Sequence, residues 1–131
     1  MEQDRIRVLS VDDHPLLREG IAILIDHQSD MKLVSQASGG WEAIQQYREH
    51  KPDVTLMDLR MPDLSGIDAM LAIRAEFPEA RIIILTTFEG DEEVRRAIQA
   101  GARAFLLKSN PASQMLRVIR QVHAGETVLP T

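Results

Sequence analysis

The chain contains no cysteine, which excludes both a disulfide scaffold and a thiolate metal site. No apolar run approaches the roughly 20 residues of a membrane-spanning helix. Met1–Ser10 carries charges where a signal peptide needs an apolar core. The expectation is a soluble, cytoplasmic protein with no membrane partner. Positive charge is in deficit, with 15 Lys and Arg against 20 Asp and Glu for a formal net charge of −5. That argues against a nucleic-acid surface on this chain, because binding polyphosphate requires clustered basic side chains. Arg95, Arg96 and Arg103, or Arg117 and Arg120, are read as solvated faces. Internal repeats and low-complexity stretches are also missing.

What is present is an ordinary globular composition: 131 residues, 44% apolar and 27% charged, enough for one domain with a real core. Short β-branched runs alternate with segments of helical period. Arg5–Val11 reads as a strand, followed by a helix over Pro15–His27 with Leu17, Ile21, Leu24 and Ile25 at helical spacing. Pro15 suits a first helical turn, where its missing N–H would find no partner. Met31–Ala37 is a half-polar strand, and Gly39 and Gly40 break the chain before a helix over Trp41–His50. Asp53–Met57 is a third strand, Asp58–Gly66 a loop, and Ile67–Phe77 a helix. Arg81–Thr86 is the most apolar strand. The helix after it has Glu89, Asp91 and Glu92 near its start, which suits the dipole, and ends at Gly101. Arg103–Leu107 is a fifth strand, and a last helix opens near Pro111.

Five strands each followed by a helix imply an α/β fold: a three-layer α/β/α doubly wound, parallel five-stranded sheet with helices on both faces. Right-handed crossovers and the short length favour the flavodoxin-like order 2-1-3-4-5, with a site at the switch point between the first and third strands. Ligands bind beyond the carboxyl ends of such strands. There the first strand ends in Asp12 and Asp13, the third in Asp58, the fourth in Thr86 and Thr87, and the fifth in Lys108.

Three carboxylates in one pocket repel one another by on the order of a few kcal/mol per close pair at an effective dielectric of ~20. A cation among them relieves this, and a hard divalent ion such as Mg²⁺ suits oxygen ligands and a substrate phosphate. An exposed carboxylate beside Mg²⁺ can act as a nucleophile toward phosphorus. Asp58, alone at the mouth of the middle strand, is the expected acceptor. Asp12 and Asp13 are the expected metal ligands, and Lys108 and Thr86 stabilise the transferring group. Taken singly, each of these residues reads as a turn former, a strand residue or a solvated lysine. Their convergence carries the assignment.

With VDDH at Val11–His14, MDLRMPDLSG at Met57–Gly66, ILTTF at Ile84–Phe88 and AGARAFLLKS at Ala100–Ser109, the chain resembles the receiver domain of two-component response regulators. The resemblance runs from about Arg5 to Gly125, and DDHPLLREG, LTTF and FLLK look most like the NarL/LuxR (FixJ) type. It implies a CheY-like fold and phosphorylation of Asp58 by a sensor histidine kinase. It also implies Mg²⁺ held by Asp12, Asp13, Asp58 and the backbone carbonyl of Arg60, with Thr86 and Phe105 as a switch pair. The protein would then be a phosphoacceptor that catalyses only its own phosphorylation and dephosphorylation. Residues 1–125 would form the receiver. Residues 126–131 would begin a linker to a C-terminal helix-turn-helix domain that this chain does not contain, through which DNA would be bound. Pairing of two copies on phosphorylation is a further implied partner interaction, and a stand-alone receiver acting through protein contacts is the alternative.

Arg60 and Phe88 stand two residues after Asp58 and Thr86, where their bulk would limit an attacking water and tune dephosphorylation. His14 can touch the metal or cap the next helix. His27, His50 and His123 are read as surface residues, and Trp41 and Tyr47 as packing or shielding the second helix. An aspartate-nucleophile phosphohydrolase is a rival, but it needs a second Asp where Arg60 stands. A flavin or nucleotide binder lacks its phosphate loop, since VDDHP occupies that place.

Overall fold

Among the described residues, the alternation in the sequence is realised as five strands and five helices. They are β1 (Ile6–Val11), α1 (Pro15–Asp26), β2 (Met31–Ala37), α2 (Gly40–His50), β3 (Val54–Met57), α3 (Gly66–Glu76), β4 (Ile82–Thr86), α4 (Asp91–Gln99), β5 (Ala104–Leu107) and α5 (Ala112–His123). The computed structural model describes residues 4–87 and 90–129. All strand pairs are parallel, in the order β2-β1-β3-β4-β5, as the sequence leads one to expect. Arg5, Asp53, Arg81 and Arg103 fall just outside the strands they were expected to open. Each is a charged, half-buried residue at the solvent-facing mouth of an otherwise apolar run.

Side-chain alternation sorts the core into two clusters. Leu9, Val11, Met57, Ile82, Ile84 and Phe105 face α2, α3 and α4. Ile6, Val8, Val54, Leu56, Ile83, Leu85 and Leu106 face α1 and α5. Strands buried on both faces explain why RIIILT shows no polar alternation. The β1–β2 pairing shifts register between Val8 and Leu9, which are matched with Leu33 and Ser35 and leave Val34 as the extra residue.

Beyond α5 the chain returns to the sheet. The Val128 N–H donates to the Arg103 carbonyl at 2.8 Å, and Val128 forms an isolated parallel bridge with Ala104 at the outer edge of β5. Tyr47 is buried against Phe77, with ring centroids 5.0 Å apart. Trp41 is instead 63% exposed, so of the two aromatics Tyr47 is the one in the core. His27 is exposed, while His50 and His123 are half-buried. The His123 carbonyl accepts from Arg81 Nη1 at 2.7 Å.

Candidate functional site

Backbone pairing brings the polar strand ends together. The Asp58 N–H donates to the Val11 carbonyl at 3.0 Å, which sets Asp58 beside Asp12 at the switch point. The Lys108 N–H donates to the Thr86 carbonyl at 2.7 Å, which sets lysine and hydroxyl side by side on the next two strands. Asp12, Asp58 and Thr86 are buried among apolar strand residues, at 2%, 3% and 1% exposure. The Lys108 ammonium reaches into this pocket, 2.8 Å from Asp12 Oδ2 and 3.1 Å from Asp58 Oδ2.

Ligand atoms of Asp12, Asp13, His14 and Asp58 all lie within 4.8 Å of one another. Burial, and then the neighbouring Asp12 charge, push the Asp58 carboxyl above its usual range, although Lys108 and the Arg60 N–H oppose the shift. For Lys108, burial works against the ammonium, but its bonds to Asp12 and Asp58 outweigh this and raise it. One ammonium is thus shared by two of the three clustered carboxylates. Asp13 Oδ1 is buried without a hydrogen bond, with His14 Nδ1 3.1 Å away. A hard cation with oxygen ligands fits both the surplus negative charge and this buried oxygen.

His14 takes the N-cap position of α1, but its side chain makes no cap bond. Both its backbone N–H, at 2.8 Å, and its Nδ1, at 2.9 Å, meet Asp12 Oδ1 instead. The histidine therefore orients Asp12. Pro15 opens α1 as expected.

The loop after β3 is built more tightly than its composition suggests. Ser65 Oγ caps α3 by accepting from the Asp68 N–H at 3.1 Å. Gly66 begins α3 against the Asp58 carbonyl, and a Cβ there would meet that oxygen at 2.1 Å. Asp63 reaches over to α2, accepting from the Gly40 and Trp41 N–H groups at 3.1 and 3.2 Å. Those two bonds hold its carboxyl below the usual range. Gly39 and Gly40 supply no cap of their own, and side chains there would strike Asp63 and Leu64. The sequence marks Ser65 and Gly66 only as loop formers and gives Asp63 no role of its own. An S-x-x-D pattern at the start of α3 was the one available signal.

Arg60 is exposed beside the site, with Nη2 2.5 Å from Glu93 Oε1 on α4. Phe88 lies outside the described residues. Phe105 pairs with Ile84 and Leu107 with Thr86, so by alternation Thr86 and Phe105 share the sheet face that α4 covers. Phe105 is 7% exposed and helps to line a groove of about 260 Å³ with Asn110, Gln114, Val128 and Leu129.

The comparisons with known proteins agree with this geometry. The family model described as "Response regulator receiver domain" matches residues 8–120. The uncharacterized transcriptional regulatory protein YxjL of Bacillus subtilis is 41% identical over 131 residues, all of this chain and 60% of that protein. The oxygen regulatory protein NreC of Staphylococcus aureus is 42% identical over 123 residues, 93% of this chain and 57% of that protein. The chain thus spans less than two-thirds of the length of these relatives. Among solved structures, a LuxR-family two-component response regulator from Aurantimonas superposes with a TM-score of 0.91 at 35% identity. That match covers 95% of this chain and 89% of the other. The receiver domain of the NarL regulator from Mycobacterium tuberculosis gives 0.90 at 30% identity, covering 94% and 99%.

Proposed function

The chain belongs to the response regulator receiver domain family, in its NarL/LuxR branch, and from that premise we propose that Asp58 is its phosphoacceptor. The phosphodonor is the phosphohistidine of a partner sensor kinase. An Asp58 carboxylate oxygen attacks phosphorus, the O–P bond forms as the N–P bond breaks, and the imidazole leaves. Return to the resting state is attack of water on the same phosphorus, which frees inorganic phosphate and restores the carboxylate. The protein turns over no substrate besides its own phosphoryl group.

Asp12, Asp13 and Asp58 would hold Mg²⁺ together with the Arg60 carbonyl. When bound, the ion neutralises one oxygen of the transferring group. The observation that carries this reading is the Lys108 ammonium, shared between Asp12 and Asp58 at 2.8 and 3.1 Å. It stands where a phosphoryl oxygen on Asp58 needs a charge partner and competes with the metal for the same oxygens until then. The Thr86 hydroxyl serves another phosphoryl oxygen, and its movement toward the site frees space that Phe105 fills. The output is transcriptional, through a DNA-binding domain beyond residues 1–125, with 126–131 as the start of the connection. Two copies pair on phosphorylation.

Incubation with Mg²⁺ and acetyl phosphate followed by intact mass tests the acceptor. Wild type should gain one phosphoryl group and Asp58→Asn none; a gain that survives the substitution moves the acceptor elsewhere. Arg60 and Phe88 restrict the attacking water, so Arg60→Ala and Phe88→Ala should release phosphate faster than wild type in the same assay.

A further inference from the structure

Helix α4 is the least anchored helix of the fold. It buries Ala97 alone, with Val94 packed partly against the cluster on its face. By contrast, α3 buries Gly66, Ile67, Ala69, Met70 and Ile73. Beside Val94, what ties the first turn of α4 inward is charge. Glu93, with a side chain only 24% exposed, pairs with Arg60 at 2.5 Å across 33 residues of sequence. Arg95, the next cation along, is engaged outward with Glu92 at 3.6 Å and is 66% exposed. Arg60 belongs to the loop that begins at Asp58. One side chain therefore joins the loop at the acceptor to the helix beside it.

We propose that Arg60 carries the charge state of Asp58 to α4 by exchanging partners: Glu93 holds its guanidinium in the resting protein, and a phosphoryl group on Asp58 takes it. This rests on Asp58 being the acceptor. A phosphoryl group brings a charge of about −1.5 to −2 and three acceptor oxygens, against a single charge on Glu93. The guanidinium fork matches phosphate geometry. Mg²⁺, Lys108 and Thr86 would each meet one phosphoryl oxygen, but every such oxygen accepts more than one bond, so an acceptor position remains for the guanidinium. When the exchange occurs, Glu93 is left half-buried and unpaired near a more negative site, so the present seat of α4 is weakened. Arg60 thereby acts as a positioning residue as well as a partner of the phosphoryl group.

The two ends of this bridge make opposite predictions for one quantity and the same prediction for another. The measurements are amide hydrogen exchange across 94–99 and decay of the phosphorylated mass, on wild type, Arg60→Ala and Glu93→Gln with Mg²⁺ and acetyl phosphate. In wild type, exchange in α4 should rise several-fold on phosphorylation. In both variants it should be raised already in the resting protein and change little further. The acyl phosphate should decay several-fold faster in Arg60→Ala but several-fold slower in Glu93→Gln, where the guanidinium is released to the phosphoryl group. Lifetimes shifted in the same direction by both variants would overturn the exchange. So would a fully phosphorylated wild type whose α4 exchange is unchanged. Failure of wild type to gain any phosphoryl mass would instead overturn the acceptor assignment and, with it, this proposal.

Discussion

Lys108 serves two carboxylates at once, and its place next to Thr86 follows from a single backbone hydrogen bond. Its removal should separate two properties that a generally damaged site would lose together. Lys108→Ala takes away the ammonium that competes for Asp12 and Asp58, so Mg²⁺ should bind at least as tightly as in wild type by titration. The same variant lacks a cation aimed at the developing phosphoryl charge, and acceptance from acetyl phosphate should slow by roughly 100-fold. A parallel loss of both properties would mean that the lysine only holds the pocket together. Gly66 acts at the same scale by absence. With the Asp58 carbonyl 2.1 Å from where a Cβ would sit, this position fixes how closely α3 can approach the acceptor.

Among the elements, α2 and α3 are coupled through one carboxylate. Asp63 caps α2 from the loop that leads into α3, 23 residues away in sequence from Gly40. Asp63→Ala should therefore raise amide exchange in the first turn of α2 while leaving the middle of α3 unchanged, whereas a purely local role would loosen the loop alone. The elements themselves were legible in the sequence because each signal is local. The RIIILT run is apolar on both faces because helices cover both faces of β4, and Gly101 takes φ +101° at the end of α4, a backbone conformation that favours glycine. The acidic pocket was legible for a related reason, since parallel topology sends every strand end to one rim. What sequence did not disclose is what joins distant elements: the Asp63 cap, the Arg60–Glu93 pair, the extra residue at Val34, and the return of Val128 to β5. Periodicity describes which way a side chain faces, but not which remote partner it meets.

For the molecule as a whole, Asp30 and Arg120 fasten the loop before β2 to α5, with Arg120 Nε 2.8 Å from Asp30 Oδ2 and Nη2 3.0 Å from Oδ1. The Arg120 hydrogen bond, with its charge, holds the Asp30 carboxyl below the usual range. A depressed carboxyl contributes stability that is present above its unfolded pKa and is lost as pH falls through the folded one. The pair is half-exposed, so its contribution is about 1 kcal/mol or less. Asp30→Asn should lower Tm slightly at neutral pH and by less as the pH is taken down through the acidic range. A difference between variant and wild type that grows in acid would assign the linkage to another group.

The parallel bridge between Val128 and Ala104 also gives the chain a heading. After α5 it travels with the strands, toward the rim where Asp58 and Lys108 stand, and not back toward the opposite end of the sheet. A module joined beyond Leu129 would be tethered to the β5 edge on a leash whose reach is about 3.3–3.6 Å per residue. A leash of about five residues would keep its cargo within roughly 20 Å of the β5 edge, so linker length would set how strongly the cargo feels the charge on Asp58.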